Sequence, residues 1–180
     1  MMDADMFSPA DLVGDSYLGG FTASKSTSGL YNNIFKSTKE GDVVSLEFNS
    51  SNLGIWTWSY GTANGKNGTD MLVSIDGGEP TKVNVYRSYP NHKVYWLAKD
   101  LDNSKTHTVR IYHCDSANPI DIRWFLMWDM PEGQAPSIKT VPYFDFATEE
   151  YSLRNSAGRE LSPYFLQVGK ARLREPRQLS

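Results

Sequence analysis

The chain lacks the features that announce several large protein classes. It has one cysteine, Cys114, in 180 residues, so no internal disulfide can form. No run of 18 apolar residues occurs, which argues against a transmembrane helix and membrane insertion. The opening Met1-Met2-Asp3-Ala4-Asp5-Met6 has neither a basic start nor an apolar stretch, so no secretory signal peptide is expected and the chain reads as cytoplasmic when made. The net charge is −3, which provides no global basic field for nucleic acid. Walker and GxGxxG loops are both missing, so nucleotide binding has no support.

What the chain does have is aromatic side chains, 13% of all residues, enough buried ring surface to favour a folded domain over disorder. Three textures follow one another. Residues 1–40 are rich in Gly, Ser, Thr and Asp and read as an N-terminal arm with the first strand or strands. Residues 41–130 alternate apolar runs with Gly, Asn and Asp turns. Residues 131–180 begin with Pro131, Pro136 and Pro142 and turn basic, as a C-terminal arm or hairpin.

The middle part reads as strands. Val44, Leu46 and Phe48 share one face of residues 43–48, and Ser45 and Glu47 share the other, the alternation of a half-buried strand. Further strands are expected over 53–60, 71–75, 81–86, 93–98, 106–114 and 120–128. Asp76-Gly77-Gly78 suits a tight hairpin turn, and Asn64-Gly65 and Asn67-Gly68 suit positive φ. About eight short strands at this spacing predict an all-β sandwich.

The order of these features resembles a known module: the jelly-roll, galactose-binding-like domain that accompanies SGNH (GDSL) esterases and occurs in phage surface proteins. The resemblance is carried by Gly41-Asp42-Val43-Val44-Ser45-Leu46-Glu47-Phe48 and Asn52-Leu53-Gly54-Ile55, then Val73-Ser74-Ile75-Asp76-Gly77-Gly78. It continues through Tyr95-Trp96-Leu97-Ala98-Lys99-Asp100-Leu101, His107-Thr108-Val109-Arg110-Ile111 and Ile122-Arg123-Trp124-Phe125-Leu126. It covers roughly half the chain. It implies a jelly-roll sandwich, non-catalytic and often assisting glycan recognition; residues 1–40 and 131–180 have no counterpart in the module and read as extended arms.

The catalytic candidates are weak on their own chemistry. Gly14-Asp15-Ser16 matches the nucleophile block of an SGNH esterase, but Ser8-Pro9 precedes it and Gly19-Gly20 follows, where an apolar strand and a helix are needed. The base is usually a late Asp-x-x-His; His92, His107 and His113 all lack an Asp three residues before them. Gly14-Asp15-Ser16 therefore reads as a turn, with an esterase using Ser16 as a remote alternative. His107 and His113 can share a strand face, yet a zinc site needs a third ligand, and Cys114 has the opposite parity. Cys114 is expected to be a small buried hydrophobe. No cofactor is expected. A structural calcium is the one metal the loops could serve, through Asp70, Asp76, Asp100, Asp102, Asp115 or Asp121, although no compact DxDxDG loop is present.

Binding candidates are richer. Alternation puts Trp56, Trp58 and Tyr60 on one face and Ile55, Thr57 and Ser59 on the other. The rings are either packing for the second sheet or an exposed platform of the kind on which sugars stack. Tyr86, Arg87, Tyr89 and His92 form an aromatic and polar loop at one end of the expected sandwich. The arms carry opposite charge: Asp3, Asp5, Asp11 and Asp15 in residues 1–20, and six basic against two acidic residues in 151–180. Large apolar residues in both suit packing on the sandwich itself or on neighbouring subunits. The leading expectation is a non-enzymatic assembly protein, a bacteriophage virion surface component, with copies of itself and other subunits as partners and surface glycans as ligands. The alternative is a carbohydrate-binding module, alone or ancillary to a glycan-active esterase.

Overall fold

The computed structural model describes residues 4–15, 17–24, 33–114 and 117–139. It is a β-sandwich of two antiparallel sheets. The N-terminal part contributes β1 (Asp5–Phe7), α1 (Pro9–Leu12), β2 (Thr22–Ser24) and β3 (Ile34–Ser37). Then come β4 (Val43–Phe48), β5 (Asn52–Ser59), β6 (Thr62–Ala63), β7 (Lys66–Asn67), β8 (Thr69–Ile75) and β9 (Thr81–Val85). β10 (Asn91–Ala98), β11 (His107–His113), β12 (Ile120–Trp128) and β13 (Ser137–Lys139) complete the described elements.

The first sheet has the order β10-β5-β12-β3-β2, with β1 also paired to β12; the second runs β13-β4-β11-β8-β9. Two hairpin turns form where the sequence places them. Asn64 and Gly65 join β6 to β7 with φ of 51° and 75°, and Asp76 and Gly77 follow β8 with φ of 53° and 73°. Positive φ at both central residues matches the right-handed twist of the flanking strands.

The core lies between the sheets. Val44, Leu46 and Phe48 of β4 and Val109 and Ile111 of β11 face Leu53 and Ile55 of β5 and Ile122, Phe125 and Met127 of β12. Each such side chain contributes about 1.5–3 kcal/mol on burial. The described N-terminal segments belong to this core. Phe21 stacks on Phe35 with ring centroids 4.9 Å apart, and the Tyr17 hydroxyl donates to the Val43 carbonyl at 2.7 Å. Phe7, Leu12 and Tyr17 pack against the same cluster, so this part of the N-terminal arm docks on its own sandwich. Beyond β13, the C-terminal arm with its rings and basic residues lies outside the described residues, as do Ser16 and Asp115. Cys114, expected to be buried, is half-buried just past the end of β11.

Two bulges decide what each face of the first sheet displays. In β12, Ile122 pairs with Thr57 and Trp124 with Trp56, so Arg123 is an extra residue. The bulge reverses the alternation: Ile120 and Ile122 point into the core before it, Phe125 and Met127 after it. Without it, Trp124, Leu126 and Trp128 would share the inward phase of the two isoleucines. β10 carries a second irregularity, between Trp96 and Ala98.

Candidate functional site

All five tryptophans of the chain stand on the outer face of the first sheet. The register shows why. Leu53, Ile55, Thr57 and Ser59 of β5 are buried inward, so Asn52, Gly54, Trp56 and Trp58 point outward. On β10, His92 pairs with Trp58, Val94 with Trp56 and Trp96 with Gly54. On β12, past the bulge, Trp124 pairs with Trp56, Leu126 with Gly54 and Trp128 with Asn52. Residues directly opposite in adjacent strands share a face, so these side chains form one surface across three strands.

The open question about residues 56–60 is thereby answered for the two tryptophans. Trp56 and Trp58 are outside the core, half-buried, and the inward positions of β5 go to aliphatic and hydroxyl side chains. The two hydroxyls are satisfied: Thr57 Oγ1 donates to the Asp121 carbonyl, and Ser59 Oγ lies 2.7 Å from Tyr95 Oη.

The surface has two ring clusters. At one end the His92 ring sits 5.1 Å from Trp56 and 5.0 Å from Trp58. At the other, Trp96 and Trp128 approach to 4.7 Å with planes 36° apart, and Lys99 Nζ lies 4.9 Å over Trp96. Both rings close over β5 at Gly54, where a Cβ would lie in ordinary van der Waals contact with Trp128 Cζ3 at 3.7 Å and Val94 Cγ1 at 3.4 Å. Trp96 is 44% exposed and Val94 38%. The Trp124 indole N–H is buried with no hydrogen-bond partner in the protein.

One cation of this surface is paired with a carboxylate and one lies over an indole. Arg123 Nε lies 2.7 Å from Asp121 Oδ1, and both side chains are nearly buried. Burial, with the Arg123 guanidinium as a second cause and Asp121 opposing, holds His92 below the ordinary histidine range, so its ring is neutral at pH 7. Burial and the Asp121 carboxylate push the Tyr60 phenol up, against the opposing Arg123.

The loop residues chosen from the sequence adjoin this surface through the backbone. Tyr60 and Tyr86 form a parallel bridge, Arg87 N donates to the Tyr60 carbonyl at 3.4 Å, and Arg87 Nη1 donates to the His92 carbonyl at 3.2 Å. Tyr89 projects from the β9–β10 loop, 80% exposed. The sequence reading missed Val94, Trp96, Lys99, Arg123, Trp124 and Trp128. Period-2 spacing in residues 92–96 carried a signal for Val94 and Trp96; for Trp124 and Trp128 the bulge hid it.

The other chemistry-bearing side chains are structural. Ser37 Oγ lies 2.7 Å from both His113 Nδ1 and Asp42 Oδ2. The carboxylate touches the serine and not the histidine, which is not the order of a hydrolase triad, and all three groups are buried. His113 Nε2 donates to the Asn118 carbonyl, so the group ties β3 and the start of β4 to the end of β11. His107 donates to Asp76 Oδ2 and to the Asp102 carbonyl, both at 2.7 Å, pinning the β8–β9 turn to the loop before β11. The aspartates considered for calcium are dispersed. Asp70 pairs with Lys66, Asp76 with His107, and Asp121 with Arg123, while Asp102 accepts from Ser104. Among the described residues no three acidic, histidine or cysteine side chains converge as a metal site, and no helix is long and apolar enough to cross a membrane.

No protein-family model matches the chain, and no curated protein does. Solved structures do share its fold. A family two carbohydrate esterase from Cellvibrio japonicus aligns with a TM-score of 0.57 over 93% of this chain and 49% of that one, at 13% identity. A two-domain esterase active on acetylated mannans aligns with a TM-score of 0.51 over 71% of this chain and 37% of that one, at 12% identity. This chain thus spans no more than about half the length of either structure. Such likeness establishes the β-sandwich fold and leaves function to the residues.

Proposed function

We propose that this chain is a non-catalytic carbohydrate-binding module, ancillary to a carbohydrate-active enzyme, with the outer face of the first sheet as its binding surface. The observation that carries this reading is the gathering of all five tryptophans outside the core, on one sheet face. A core needs apolar side chains, and this one is filled by aliphatic residues and phenylalanines. Indoles held outside it, around two bulges, are groups placed for contact; bulges commonly sit where a side chain must be re-aimed at a binding site. Trp offers a large rigid face to sugar C–H groups at low entropic cost. The fold's likeness to domains within carbohydrate esterases is consistent with this role. Neither the likenesses nor the described residues add support to a virion-surface role.

Affinity electrophoresis through gels containing neutral polysaccharides tests the reading. Retardation of the wild-type chain, strongly weakened in Trp58→Ala and Trp96→Ala variants that keep their β-sheet circular dichroism, is the expected result. Unretarded migration in every polysaccharide would remove it.

A further inference from the structure

The outer face is more specific than an aromatic patch. Its two ring clusters sit at different levels along the strands: His92 with Trp58 at one, Trp96 with Gly54 at the other. Trp58 and Gly54 are four residues apart on β5, about 13 Å at the rise of an extended strand. That separation exceeds one sugar ring. Val94 and Trp56 lie at the level between them, so the surface joining the clusters is apolar and continuous.

The electrostatics bear on ligand class. Ionised sugars need an unpaired cation. At the first cluster the guanidinium of Arg123 is already held by Asp121 at 2.7 Å, and the neighbouring ring of His92 is uncharged at neutral pH. At the second, the ammonium of Lys99 lies 4.9 Å over the Trp96 indole, held by a cation–π contact and by no carboxylate among the described residues. One exposed ammonium on a flexible stem is a weaker anchor for a carboxylate or sulfate than the two-point clamp of a guanidinium, and the guanidinium beside the first cluster is already taken. Three pleated strands carrying outward rings suit a ribbon-like chain better than a tightly coiled one.

Resting on the carbohydrate-binding reading, we infer that this face takes an uncharged, extended β-linked glycan as a chain, with one stretch of sugars on Trp56, Trp58 and His92 and a second on Trp96 and Trp128. Neither cluster alone gives the full affinity. Affinity rises steeply once the oligosaccharide is long enough to reach both, because the second contact is made within an already bound ligand. Trp96 is the residue that reads length. It stands on an edge strand, 44% exposed, and its removal takes away the far cluster while leaving the near one intact.

The test is calorimetric titration of the intact chain with cello- and manno-oligosaccharides of one to six sugars, in parallel with polygalacturonate. The expected result is no measurable binding of monosaccharides and at least a tenfold gain in affinity between the disaccharide and the longer chains of one series. In Trp96→Ala that gain disappears; in Trp58→Phe the gain persists at lower overall affinity. Binding of equal strength at every length overturns the two-cluster inference and leaves the carbohydrate-binding reading standing. Preferred binding of polygalacturonate, lost in Lys99→Ala, overturns the uncharged class. Failure of every glycan to bind folded protein removes the underlying reading, and this inference with it.

Discussion

The two sheets turn quite different outer faces away from the core they share. The second sheet carries Ser45, Glu47, Asp70, Ser74, Lys82, Thr108, Arg110 and Lys139 beside a buried row of Val43, Tyr112 and Leu72, with a Lys139–Glu47 pair at 3.7 Å and no tryptophan. The first presents Trp56, Trp58, Trp96, Trp124, Trp128, Val94 and Leu126. Both sheets bury the same kind of aliphatic inner face, so folding alone does not call for the contrast. A sheet that only had to close the core would not need five indoles on its outer face; on the proposed reading, the aromatic face answers to ligand binding as well as to stability.

That contrast can be broken most severely at the bulge. Deleting Arg123 should force either Ile120 and Ile122 or Phe125 and Met127 out of the core, at about 1.5–3 kcal/mol for each displaced side chain. The deletion also leaves the nearly buried Asp121 without its partner. Urea unfolding should show a loss larger than that of any single core truncation; stability close to wild type would mean the bulge does not set the register.

A matched pair of variants separates the two faces of β5 and its neighbour. Ile55→Ala, on the inner face, should cost about 2–5 kcal/mol in urea unfolding and leave glycan affinity unchanged at temperatures where the fold persists. Trp96→Ala, on the outer face, should cost less than about 1 kcal/mol, as expected for an exposed edge position, yet lower polysaccharide affinity at least tenfold. A large stability loss from the second would make Trp96 a packing residue.

The smallest expected effect is a pH dependence placed away from the site. Burial lowers the His107 pKa, but the hydrogen bonds to Asp76 and the Asp102 carbonyl outweigh it, and the net shift is upward. A carboxylate and a carbonyl are both acceptors, so the pair of contacts suits the doubly protonated ring. The stabilisation is complete below the ordinary histidine pKa of about 6.5 and is lost as pH rises through the folded value. The melting temperature should therefore fall modestly from pH 6 to pH 8.5, and His107→Gln should flatten that slope. An unchanged slope would reassign it to other groups.

Much of the fold was legible because β9 and β11 alternate, as does β4 from Val44 on, and the Asp76-Gly77 turn has the residues its positive φ values require. The short elements were not. β1, β2 and β13 are three residues each, and β1 and β13 owe their pairing to partners distant in sequence, β12 and β4. The site was half legible. Trp56 and Trp58 were visible as a pair, but their direction was not, since Ile55 and Leu53 offer an equally apolar opposite face. What decided it was burial of Thr57 and Ser59, whose hydroxyls find partners inside. Trp124 and Trp128 could not be placed from alternation at all, because a one-residue bulge reverses the phase between Ile122 and Phe125.

On the proposed reading the tryptophans contact glycan and not core. Titrating neutral polysaccharide into the chain while following tryptophan emission reads this out at every indole, since all five lie on the proposed surface. A saturable blue shift and protection from acrylamide quenching are expected, with far-ultraviolet circular dichroism unchanged. An emission spectrum and quenching constant indifferent to saturating cello-, manno- and xylo-polysaccharides, in protein shown to be folded, would contradict it.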